Sequence, residues 1–129
     1  MAKRRTTRDP LELAKEQLER VQASLDPPDW SDLAMYGFYC LENAVTAAAR
    51  RVGITIGRDH RSRVDAANRL AEEHGLPDVG SLLRDLNDAR KAAAYGDVIS
   101  PDLDPEAVAS AVEEYVAAVE GLLARGPAD

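Results

Sequence analysis

Leu33-Ala34-Met35-Tyr36-Gly37-Phe38-Tyr39-Cys40-Leu41 is apolar almost all the way round a helix, and its reading decides the fold. A helix that is apolar on every face belongs at the centre of a bundle, where neighbours cover it on all sides. The segment starts near Asp29 or Ser31, runs to about Val52, and meets a helix-stopping glycine at Gly53. Glu42 and Asn43 stand out within it, because polar groups on a central helix must find partners.

Four further helices read outward from this one, and no strand. The first opens with Asp9-Pro10-Leu11-Glu12: an N-cap acid, a proline at the first helical position and an acid in the first turn. Leu11, Ala14, Leu18, Val21 and Leu25 give it an apolar stripe, and Pro27-Pro28 stops it. After a loop through 53–57, a third helix is expected over 59–74, ended by Gly75 and short enough of apolar residues to lie at the rim. A fourth is expected over 78–95. The fifth opens with Asp104-Pro105-Glu106 and carries the stripe Val108, Val112, Tyr115, Val119, Leu122 and Leu123. Short loops between helices of similar length favour an antiparallel bundle. The expected organisation is one helical domain over 9–125, with disordered tails at 1–8 and 126–129.

The composition agrees. Of 129 residues 45% are apolar but only 5% aromatic, so Ala, Leu and Val must build the core, which disfavours a sheet. No apolar run approaches the ~20 residues that span a bilayer, and no apolar signal core follows the basic start Met1-Ala2-Lys3-Arg4-Arg5. The single cysteine, Cys40, has no internal disulfide partner, so a cytoplasmic location is expected, without contact to membrane. A net charge of −7 argues against nonspecific coating of nucleic acid. The charge is uneven: Arg50, Arg51, Arg58, Arg61 and Arg63 face only Asp59 in their span, whereas eight acids from Asp97 onward face only Arg125. The basic span reads as a solvated patch or as a local phosphate or RNA contact.

Function concentrates in Leu86-Asn87-Asp88-Ala89-Arg90-Lys91-Ala92-Ala93-Ala94-Tyr95-Gly96-Asp97. Leu82, Leu86, Ala89 and Ala93 gather on one face, the expected core face. From Asn87, Arg90 lies about 60° to one side and Lys91 about 40° to the other, with Tyr95 about 80° round. This polar flank over small alanines is either a solvated face or a site for a partner helix or a phosphate held by Arg90 and Lys91. His60 and His74 have no ligand at metal-binding spacing, so no metal site and no cofactor is expected. His60 reads as a helix-start residue or, alternatively, as a phosphate ligand, and His74 suits a helix C-terminus. Glu42 and Asn43 are candidates to bond across to Asn87 or Arg90.

The order of features resembles the HEPN superfamily of small prokaryotic helical domains. It is carried by Trp30-Ser31-Asp32-Leu33-Ala34 and Tyr36-Gly37-Phe38-Tyr39 opening a long helix, Gly53 after it, and His60 starting the next. Leu86-Asn87-Asp88-Ala89-Arg90 with Ala94-Tyr95-Gly96-Asp97 completes it. The likeness spans about residues 10 to 124. It implies a bundle of four to five helices, a homodimer, and in many members metal-independent ribonuclease activity, including toxins paired with a nucleotidyltransferase-type antitoxin. The family pair is an arginine and, after four to six intervening residues, a histidine. Arg90 matches the arginine, but Tyr95 stands where the histidine would be. Tyrosine titrates near 10 and is a poor general base at neutral pH. The expectation is therefore a catalytically degenerate, HEPN-like dimer that binds RNA, a nucleotide or a protein partner through Asn87, Arg90, Lys91 and Asp97. Two alternatives stay open: a ribonuclease toxin using Arg90 and Tyr95, and a purely structural interaction module.

Overall fold

The computed structural model describes residues 9–95 and 103–125. It is all-α, a bundle of five helices: α1 (Pro10–Ala23), α2 (Trp30–Val52), α3 (His60–His74), α4 (Gly80–Ala94) and α5 (Pro105–Ala124). The expected tails at 1–8 and 126–129, together with Gly96 and Asp97, lie outside the described residues.

The start and stop signals act locally as their chemistry requires. Asp9 caps α1, its carboxylate accepting from the Leu11 N–H, and Pro10 takes the first helical position. Asp29 and Asp59 cap α2 and α3 by accepting from the Asp32 and Ser62 N–H groups. Gly53 and Gly75 end those two helices with φ of 82° and 71°, the left-handed conformation that glycine takes without Cβ strain. The fourth helix departs from expectation. It begins at Gly80 instead of Asp78, whose carboxylate accepts from the Gly80 N–H at 3.2 Å.

As its all-round apolarity predicts, α2 is central: it packs against all four other helices. On one flank α1 and α5 run antiparallel, Lys15 pairing with Glu120 at 2.8 Å and Gln22 with Glu113 at 3.1 Å. On the other flank α3 and α4 pair with each other and with α2. Leu33, Leu41, Val45, Leu70, Leu83, Leu86, Val112 and Val119 are fully buried, with alanines of α2 filling between them. Each such leucine contributes roughly 2–5 kcal/mol, judged by truncation to alanine. Cys40 belongs to this core; its thiol donates to the Ala14 carbonyl at 3.1 Å, and burial pushes its pKa up to about 12.

The core face of α4 is turned from the expected one. Leu83, Leu86 and Asn87 are buried, while Leu82, Ala89 and Ala93 are only half-buried. The helix serves two neighbours, so its buried arc points between α2 and α3. Two glycines permit the approach. A Cβ at Gly37 would lie 3.3 Å from Leu86 Cδ1, and one at Gly80 would collide with Asn68 Oδ1. Glycine inside a helix costs roughly 1 kcal/mol relative to alanine, which close packing here offsets.

Candidate functional site

Three helices each bring a pair of chemistry-bearing side chains, spaced by three or four residues, to one junction. Phe38 and Glu42 come from α2, His60 and Arg63 from α3, and Asn87 and Arg90 from α4. Such spacing places both members of a pair on one helix face.

Arg90 is the centre. Its guanidinium carbon sits 4.7 Å from the Phe38 ring centroid and 5.7 Å from that of Tyr39, within cation–π range of both. Its Nη2 donates to Asn87 Oδ1 at 2.7 Å. Asn87 is only 5% exposed, so this charge-assisted bond is what allows an amide to occupy the core face. The His60 ring lies against the same Phe38 ring at 5.6 Å. Arg63 Nε is 3.3 Å from Glu42 Oε2, and its Nη1 donates to the Arg58 carbonyl at 3.2 Å.

The electrostatics follow from partial burial. Loss of water lowers the His60 pKa below 6.5, and the charge of Lys91 pushes the same way, followed by Arg63 and Arg90; Asp88 opposes them. The surroundings of His60 therefore favour its neutral imidazole. Glu42 is shifted up by burial, in spite of Arg63 and Arg90 nearby. Arg63, Arg90 and Lys91 outnumber Glu42 and Asp88 around the junction.

Buried side-chain nitrogens here lack hydrogen-bond partners. His60 Nδ1 and Nε2, Arg63 Nε and Arg90 Nε are all buried with none. The two guanidinium Nε–H groups are donors only, and a neutral imidazole supplies one donor and one acceptor. The arrangement suits an acceptor-rich, anionic group.

The structure treats the sequence candidates unequally. It brings Asn87 and Arg90 together and sets Lys91 beside His60, so these three share one neighbourhood. Tyr95 forms the C-cap of α4 and is 82% exposed, and none of the junction's hydrogen bonds, ion pairs or ring contacts involves it. Asp97 lies outside the described residues. Glu42 does turn to the junction, but Asn43 bonds to Gln17 of α1 at 2.8 Å. His60 is the first residue of α3, as read, and its ring also turns to the junction. The basic span is divided: Arg51 donates to the Arg125 carbonyl at 2.6 Å, while Arg63 joins the junction. Among the described residues no group of His, Cys, Asp or Glu is arranged to hold a metal ion, and no helix is long and apolar enough to cross a membrane.

Comparison with protein-family profiles, curated proteins and solved structures gives no match to this chain.

Proposed function

We propose that the chain is a HEPN-like helical domain that binds RNA, with a backbone phosphate held at the junction of Arg90, Arg63 and His60. The observation that supports this is the set of buried nitrogens without a hydrogen bond that α3 and α4 bring to one place, of which Arg63 Nε has only its ion pair with Glu42. A buried donor without a partner costs about 1–3 kcal/mol. A phosphodiester oxygen would satisfy several of them at once, through charge-assisted bonds to the two guanidinium groups. Asn87 holds Arg90 in position, and Phe38 supplies the apolar wall that keeps its charge poorly screened.

Titration of a fluorescent single-stranded RNA with the wild type, Arg90→Gln and Arg90→Lys tests the reading. Loss of at least tenfold in affinity is expected for the glutamine variant, with part of it restored by lysine. Unchanged affinity in a folded Arg90→Gln protein overturns the proposal.

A second reading, metal-independent RNA cleavage, draws support from one observation: His60 and Arg90 lie against the same aromatic ring. A neutral imidazole beside a guanidinium can move a proton while the cation holds the phosphate. In that reading His60, and not the exposed Tyr95, is the proton-transfer group. Cleavage lost in His60→Asn and retained in Tyr95→Phe supports it; the reverse pattern refutes it. A homodimer and a nucleotidyltransferase-type partner belong to the same proposal through the resemblance alone.

A further inference from the structure

His60 has a second neighbourhood. Besides resting on Phe38, it closes one end of a groove of about 410 Å³ between α3 and α4. Arg61, Val64, Asp65 and Asn68 line the α3 wall, and Arg84 lines the α4 wall. The α3 residues recur at intervals of three and four, so one helix face builds the wall. The two helices run antiparallel: Asn68 meets Gly80 at one end, and His60 feels Lys91 and Asp88 at the other.

The groove's dimensions select a ligand. From His60 to Asn68 a helix rises about 12 Å, at 1.5 Å per residue. That length admits two successive nucleotides of one strand, whether stacked at about 3.4 Å apart or drawn out further. Packed helix axes lie only about 8–10 Å apart, so the groove is one strand wide and excludes a duplex. Among the described residues, neither the Arg61 nor the Arg84 side chain has a hydrogen bond or ion pair, and both residues are exposed. Their donors are available to an anion that enters, and Asp65 is the one carboxylate in the lining.

We propose that this groove is a second phosphate subsite, with Arg61 and Arg84 holding one phosphodiester while the Arg90 junction holds its neighbour. The ligand is then a single RNA strand of at least two phosphates, not a mononucleotide. The inference rests on the anion reading of the junction, and His60 is the residue shared by both subsites.

The test uses the full chain and a labelled octauridylate, with UMP and 5′-phosphorylated diuridylate as competitors. For Arg61→Gln/Arg84→Gln, octamer affinity falls 10- to 100-fold. The slope of log K against log salt drops by about 0.7, the value for one lost single-strand phosphate contact. The wild type prefers the dinucleotide to UMP by tenfold or more, and the double variant loses that preference. Asp65→Asn tightens the octamer several-fold. An unchanged octamer affinity and slope in the double variant, with Arg90→Gln defective, overturns the groove and leaves the junction standing. An equal loss for UMP and dinucleotide also overturns it, because the two arginines would then serve the phosphate that a mononucleotide places, and not its neighbour. If Arg90→Gln binds the octamer as the wild type does, the junction reading itself falls.

Discussion

Replacing Glu42 by glutamine isolates the charge balance of the junction. The Glu42 side chain is 16% exposed, 3.3 Å from Arg63 Nε, and its carboxyl titrates above the ordinary 4.5 because burial outweighs the pull of Arg63 and Arg90. The folded state therefore holds this proton more tightly than the unfolded chain does. The stability linked to this group is full below about pH 4.5 and is lost as pH rises through the raised folded value. At neutral pH the ionised carboxylate weighs against the fold. Glutamine keeps the shape and the hydrogen-bonding capacity but carries no charge. Arg63 keeps its bond to the Arg58 carbonyl in the variant, so its cation is not stranded.

Ligand affinity moves in the same direction. A phosphate engaging Arg63 comes within roughly 5 Å of the carboxylate. At an effective dielectric of about 20, that repulsion is near 3 kcal/mol before screening. With screening, RNA should bind the variant about tenfold more tightly, equivalent to about 1.4 kcal/mol. Urea unfolding at pH 4, 5.5 and 7 checks the first effect, and fluorescence anisotropy with labelled RNA checks the second. The variant should match or exceed the wild type at pH 7, and the difference should close towards pH 4. A variant more than 1 kcal/mol less stable at pH 7, with RNA affinity unchanged, would refute the reasoning. Glu42–Arg63 would then be a stabilising ion pair remote from any anion site.

His60 carries the opposite sign. Its folded pKa is lowered, so the stability linked to it is present above about pH 6.5 and is lost as pH falls through the folded value. Melting curves between pH 7.5 and 5 should show an acid-side loss that His60→Phe, which can still pack on Phe38, largely removes. Tyr115 is fully buried and its hydroxyl has no partner, so Tyr115→Phe should stabilise the protein by about 1 kcal/mol in urea unfolding. A loss of similar size would mean that the hydroxyl is hydrogen-bonded in solution.

Much of the fold was legible because its signals are local. Asp9-Pro10, Asp29 and Asp59 cap nearby N–H groups, Gly53 and Gly75 supply left-handed turns, and α2 is apolar on every face. The rotation of α4 was not legible. Its stripe Leu82, Leu86, Ala89 and Ala93 is a good helical face for one neighbour, but α4 packs on two. Which of two adjacent leucines points inward then depends on where α3 stands, and on the Arg90–Asn87 bond that makes Asn87 tolerable inside. The site divides the same way. Asn87, Arg90 and Lys91 stood out because they share one helix. Phe38, His60 and Arg63 were each legible only in other settings, because nothing in their spacing shows that they meet Arg90. Looking for the second half of the Arg90 pair along the same helix leads to Tyr95, which points to solvent. The histidine that reaches the junction comes from thirty residues earlier and another helix.

The net charge of −7 and an anion site are compatible because the charges are segregated. Glu12, Glu16 and Glu19 on α1 and Glu106, Glu113, Glu114 and Glu120 on α5 load the far flank with carboxylates, Glu120 pairing with Lys15 and Glu113 accepting from Gln22. A polyanion approaching that flank is repelled. One approaching between α3 and α4 meets Arg61 and Arg84 without protein partners, and beyond them Arg63, Arg90 and Lys91. Repulsion over one half of the surface does not strengthen the bound state, but it discards most wrong orientations of encounter. A protein basic all over would hold RNA anywhere on its surface. An acidic one with a cationic groove between α3 and α4 would hold it there and in one direction, which is what the proposed site around Arg90 requires if a chosen phosphate is to reach the junction.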